Sequence, residues 1–139
     1  MSDAPQPSNR SQSVRSLHKT VLLVEDEDFV RNVTREVLEL SGYQVIEAID
    51  ANDGLELFRQ NMEIIDLILT DVVMPGMNGR EFANQLLPLR PDLKIIFMSG
   101  YTDNAIVRES FSDLHLNYLQ KPFTLDTLTD KVHQVLQDA

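Results

Sequence analysis

The side chains with chemistry to offer fall at recurring places in the sequence. Glu25 and Asp26 close the apolar run TVLLV, Asp71 follows DLILT, Ser99 follows LKIIFM, and Lys121 comes just after the short run Leu116–Leu119. Three carboxylates brought within a few ångströms repel one another, by roughly 4 kcal/mol per pair at 4 Å in an effective dielectric of about 20. A hard divalent cation held by oxygen ligands relieves that repulsion, and Mg2+ suits a few carboxylates together with waters and a phosphate oxygen. Three carboxylates and one lysine leave a charge of −2, which one such ion cancels. A carboxylate beside that ion is placed to attack a phosphoryl group, with Lys121 neutralising the transferring oxygens and Ser99 donating a hydrogen bond to them. The sequence has neither GxGxxG nor GxxxxGK[ST], so the phosphate does not arrive on a nucleotide cradled by backbone amides.

These residues share a site only if the elements before them run in parallel. Thr20–Glu25 is a β-branched apolar run of the kind buried on both faces of a sheet. Asp28 to Leu40 follows as a helix with Val30, Val33, Val37 and Leu38 on one stripe, and Gly42 is its C-terminal stop signal. Tyr43–Ala48 reads as a strand, Asn52–Asn61 as a helix burying Leu55 and Phe58, and Asp66–Thr70 as the third strand. The loop Met74-Pro75-Gly76-Met77-Asn78-Gly79 leads into a helix from Arg80 to about Leu87 with Phe82 and Leu86 inward. Leu93–Met98 is a fourth strand, Thr102–Phe111 a short helix, and Leu116–Leu119 a fifth strand. Leu125, Leu128, Val132, Val135 and Leu136 form the stripe of a last helix. Strands alternating with helices at this spacing indicate βα units, a parallel sheet and, at this length, a doubly wound α/β fold. In such a sheet ligands bind beyond the carboxyl ends of the strands, where all five polar groups fall.

Composition narrows the function. The 139-residue chain has 22 acidic and 12 basic residues, a net charge of −10, which excludes nonspecific nucleic-acid binding and docking on an anionic membrane. With no cysteine there is no disulfide framework and no thiolate chemistry, as fits a reducing cytosol. No apolar run approaches the ~18 residues of a membrane span, and no signal-peptide core follows Met1. Residues 1–18 hold five serines, two prolines and few apolar residues, the composition of a disordered tail or inter-domain linker. Residues 19–139 form the domain.

Four segments now stand in order at strand ends: VLLVEDE (21–27), DVVMPGMNG (71–79), MSGY (98–101) and YLQKPF (118–123). Together they resemble the receiver domain of bacterial two-component response regulators over residues 19 to 138. The resemblance implies a flavodoxin-like fold with five strands in the order 2-1-3-4-5 and five helices. It implies that Asp71 accepts a phosphoryl group from a phosphohistidine, on a histidine kinase or a histidine phosphotransfer protein. Glu25, Asp26, Asp71 and the backbone carbonyl of Val73 would hold Mg2+. Lys121 would pair with the phosphoryl oxygens, with its bond to Pro122 cis. Ser99 and Tyr118 would act as switch residues, and Val73 and Tyr101 would tune phosphoryl lifetime. Glu25 stands where aspartate is commonest, and its longer side chain can act through a water. Phosphorylation would reshape the face of the fourth helix, fifth strand and fifth helix, about Asp103 to Asp138. That face has no basic stripe, which favours a downstream protein over DNA. MSGYTDNAIV followed by LQKPF is similar to the receiver at the carboxyl end of hybrid sensor histidine kinases; a free-standing regulator, monomeric or weakly dimeric, is the other setting.

Two other functions share parts of this pattern. A Mg2+-dependent phosphohydrolase with an aspartyl nucleophile expects a general acid two residues after the nucleophile, where Val73 stands. A flavin-binding protein expects a phosphate loop after the first strand. His18, His115 and His133 have no partners at ligand spacing, and Met62, Met74, Met77 and Met98 read as packing residues.

Overall fold

The computed structural model describes residues 19–100 and 117–137. In chain order the elements are β1 (Thr20–Val24), α1 (Asp28–Leu40), β2 (Gln44–Ala48), α2 (Ala51–Gln60), β3 (Leu67–Asp71), α3 (Gly79–Leu86), β4 (Lys94–Ser99), β5 (Asn117–Gln120) and α4 (Leu125–Gln137). The five strands form one parallel sheet in the order β2-β1-β3-β4-β5, so the doubly wound, flavodoxin-like expectation holds. There are four helices among the described residues. The fifth expected one, Thr102–Phe111, lies outside them, as do Tyr101, the tail 1–18 and most of the fourth-helix side of the face from Asp103 onward.

The central strands are buried throughout, β1 and β3 along their whole length. Alternation along them divides the core into two layers. Val21, Leu23, Leu67, Leu69, Ile96, Met98 and Leu119 pack with Val37 and Leu38 of α1 and Leu128, Val132 and Val135 of α4. Leu22, Val24 and Ile68 pack on the other side, against Leu55 and Phe58 of α2 and Phe82 and Leu86 of α3. Glu25 and Asp71 continue the alternation of Leu23 and Leu69, and the β1–β3 register, ending at Val24 opposite Thr70, sets them side by side.

Two positions read as inward from the sequence face outward. Val33 is 42% exposed, and Thr34 takes the buried place beside Val37 and Leu38. The stripe that meets the sheet therefore runs through Thr34, Val37 and Leu38, and apolar character alone had favoured Val33 over Thr34. Leu125 is 61% exposed; as the first residue of α4 it precedes the turn that reaches the sheet.

Start and stop signals are local. Gly42, after α1, has φ 98°, which glycine adopts without the Cβ penalty. At α3 the Asn78 side chain accepts from the Glu81 N–H at 2.8 Å while Glu81 accepts from the Asn78 N–H at 2.9 Å, a reciprocal capping box. We expect Asn78→Ala to cost about 1 kcal/mol of stability, seen as a lower urea midpoint with unchanged slope; an unchanged midpoint would show that the cap contributes nothing.

Candidate functional site

The structure brings Glu25, Asp26, Asp71 and Lys121 together at the carboxyl edge of the sheet. One carboxylate oxygen from each of the three acids lies within 4.8 Å of the others. Glu25 and Asp71 are buried, at 1% and 4% exposure, and Asp26 is exposed. Lys121 Nζ lies 2.6 Å from Glu25 Oε1 and 2.6 Å from Asp71 Oδ1. The second oxygen of Glu25 accepts from the Glu27 N–H at 3.1 Å. Both oxygens of Glu25 thus have partners inside the chain, a finding that sequence reasoning, which weighed its length alone, did not reach.

Ser99 ends β4, is buried, and lies one residue past Met98, the register partner of Asp71. Its carbonyl accepts from the Lys121 N–H at 2.8 Å, so the serine and the lysine are tied through backbone. The Lys121–Pro122 bond is cis. Tyr118 is half-buried on β5, opposite Phe97 in register, with ring centroids 6.3 Å apart at 45°. Burial raises its hydroxyl pKa, against a smaller opposing effect of Arg80. Val73 lies two residues past Asp71 and is 43% exposed.

Two backbone contacts beside the cluster escaped the sequence reading. Gly79 donates its N–H to the Val72 carbonyl at 2.7 Å, and a Cβ there would stand 2.4 Å from the Asp71 carbonyl oxygen and 3.1 Å from Val72 Cα. Only glycine lets the backbone of α3 approach the end of β3 so closely. Arg31 donates to the Glu25 carbonyl at 2.9 Å. Gly79 ends the DVVMPGMNG segment and was legible as a motif position; Arg31 lies on a helix face whose partner is backbone, which no pattern announces.

The electrostatics follow from burial and crowding. Burial, then the hydrogen bond and charge of Glu25, push Asp71 up to about 8 against the pull of Lys121. Burial also acts against the charge on Glu25, yet hydrogen bonds with Asp71, Lys121 and the Glu27 N–H together hold it below 4.5. The Lys121 ammonium loses solvation on burial, but Asp71 and Glu25 raise its pKa overall. A site in which one carboxyl keeps a proton near neutral pH, although a lysine touches it, is short of positive charge. An all-oxygen donor set in that condition fits a hard divalent cation.

A profile of the response regulator receiver domain matches residues 21–133. The chain belongs to that family. It is 40% identical over 118 residues to the sensor kinase CckA of Brucella abortus, covering 85% of this chain and 12% of that protein. It is 34% identical over 118 residues to the response regulator receiver protein CpdR of the same organism, covering 85% of this chain and 97% of CpdR. Among solved structures, the receiver domain from the hybrid histidine kinase CckA aligns with a TM-score of 0.73 and 34% identity over 85% of this chain and 99% of that one. A receiver domain protein from Clostridium thermocellum aligns with a TM-score of 0.78 at 24% identity over 85% of this chain and 94% of its own, a likeness of fold. Receiver domains are regulatory phosphoacceptors in signalling and not enzymes, and the phosphohydrolase reading gives way to that family membership. They generally bind Mg2+ at an acidic pocket, and this receiver domain carries the corresponding carboxylate cluster. Among the described residues, no helix is long and apolar enough to cross a membrane.

This geometry has two measurable outcomes. An aspartate that keeps its proton to about 8 when folded, and loses it near 3.9 when unfolded, makes stability fall as pH rises between those values. The lowered pKa of Glu25 acts below 4.5 and leaves the window above it to Asp71. In EDTA the urea midpoint should fall from pH 5 to 8 and Asp71→Asn should flatten the profile; a wild-type midpoint that is level or rises across that window contradicts the assignment. Gly79→Ala should cost roughly 1–3 kcal/mol as an overpacked site, and a denaturant midpoint equal to wild type would mean that α3 can retreat freely.

Proposed function

We propose that the chain is a phosphorylation-controlled switch acting in the cytoplasm, with Asp71 as the phosphoacceptor. The observation that carries this reading is the buried Asp71 carboxylate at the end of a central strand, 2.6 Å from Lys121 and clustered with two further acids. The donor is the phosphohistidine of a histidine kinase or a histidine phosphotransfer protein. An Asp71 oxygen bonds to phosphorus as the P–N bond breaks; the electron pair returns to the imidazole, which takes up a proton. Asp71 must first give up its own proton, which Lys121 favours by its charge. Lys121 then has a phosphoryl oxygen to pair with in place of the carboxylate. Asp26, Asp71, Glu25 and the Val73 carbonyl are the groups to hold Mg2+, which when bound supplies the positive charge that the carboxylates and the phosphoryl oxygens lack.

On this reading Ser99 donates to the phosphoryl group and Tyr118 follows it inward, so that the local charge change reshapes the β5 and α4 side of the domain. A protein partner reads that change, or the phosphoryl group is relayed onward. Val73 and Tyr101 set how readily water reaches the acyl phosphate. The 40% identity to CckA supports a place for residues 19–139 as the receiver of a hybrid sensor kinase, with 1–18 as linker. A free-standing regulator is the second setting, supported by the 34% identity to CpdR.

Incubation with Mg2+ and acetyl phosphate, followed by intact-mass analysis, should show one phosphoryl group per chain. Beryllofluoride should bind with the same stoichiometry. Both signals should vanish in Asp71→Ala and in EDTA. Modification that survives Asp71→Ala, or rapid multiple turnover of small phosphoesters, would overturn the switch reading.

A further inference from the structure

The turn carrying Glu25 and Asp26 is held from both sides. The Glu25 N–H donates to the Ala48 carbonyl of β2 at 3.1 Å. The Glu25 carbonyl, which belongs to the peptide joining Glu25 to Asp26, accepts from Arg31 Nη1 at 2.9 Å. The same guanidinium places Nη2 2.7 Å from Asp28 Oδ1 and Nε 3.4 Å from Glu47 Oε1, and its side chain is only 12% exposed. One planar fork therefore spans the turn, the first residue of α1 and the edge strand β2, with a fixed geometry that a lysine ammonium does not reproduce. Arg35, one turn along α1, also reaches Glu47, at 3.2 Å, but it pairs otherwise with Glu36 and Glu39, away from the acidic turn.

We infer that Arg31 is a positioning residue for the cation site: it fixes the plane of the Glu25–Asp26 peptide and so aims both carboxylates at Asp71. The inference rests on the reading of this cluster as a Mg2+ site. Outer groups that orient metal ligands commonly govern affinity as strongly as some ligands do. The direction of the effect is diagnostic. Arg31 is positively charged, so removing it would by charge alone tighten the binding of a cation, whereas losing its anchor loosens the ligand pair.

The test is calorimetric titration of the full chain with MgCl2, with urea midpoints in EDTA measured alongside. Wild-type protein that takes up no Mg2+ would sink the metal reading itself, a failure distinct from any change among the variants. Given wild-type binding, Arg31→Met should weaken the Mg2+ Kd about tenfold, whatever it does to the urea midpoint. Arg35→Met, which removes the same charge without touching the turn, should bind as wild type does or slightly more tightly. Arg31→Lys keeps the charge and loses the fork, and should fall between wild type and Arg31→Met. A wild-type or tighter Kd in Arg31→Met overturns the inference, as does equal weakening in Arg35→Met. If Arg31→Met does not fold, Arg31→Lys decides, and retention of the wild-type Kd there overturns it.

Discussion

Glu25 and Asp71 place two carboxylates at one buried point, with Lys121 Nζ touching both at 2.6 Å. Each acid would be costly there alone, because desolvation penalises its charge, and the two together add mutual repulsion. The lysine offsets part of this and leaves Asp71 holding a proton. That residual deficit of positive charge makes the site responsive: a cation, a proton or a change in the charge on Asp71 alters the balance among the same few groups. A buried triad of this kind is a poor source of stability and a good sensor.

The rest of the chain serves to hold those groups in register. Parallel pairing sets the ends of β1, β3, β4 and β5 along one edge. The strict alternation of β1 and β3 puts Glu25 and Asp71 on the α1 and α4 side of the sheet, in line with a fully apolar column. Because a one-residue slip would turn that column onto the opposite core, burial itself fixes the register and thereby the carboxylate spacing. Short backbone links complete the frame: Lys121 to Ser99, Val72 to Met98, Gly79 to Val72 and Glu25 to Ala48.

Much of this was legible in the residues. The βα alternation and the four motif segments gave the parallel sheet, its order and the membership of the cluster, because burial on both faces leaves near-continuous apolar runs that end where polar ligands begin. Helix rotation was less legible: Thr34 lies inward and Val33 outward, since the face of α1 is decided by where the sheet lies and not by apolarity alone. Leu125 failed for a similar reason, sitting one turn before α4 meets the core. The Glu27 N–H that Glu25 accepts from, and the contacts of Gly79 and Arg31 to Val72 and Glu25, were hidden because they involve backbone atoms, which carry no sequence signature. Strand ends moved by a residue, with Asp71 and Ser99 inside their strands and not just after them.

The hydrogen bond from Gly79 to Val72 closes the chain on itself, so residues 73–78 form an excursion pinned at two buried ends. Within it Val73, Pro75 and Gly76 are exposed, Met74 is buried in the core and Met77 packs against it. A substitution at Val73, two residues past Asp71, therefore costs the scaffold little, whereas Gly76, at φ 84°, is held to glycine by its backbone. Selection can exchange Val73 almost independently of folding. Related domains sharing this frame can diverge in sequence at this loop long before they diverge in architecture.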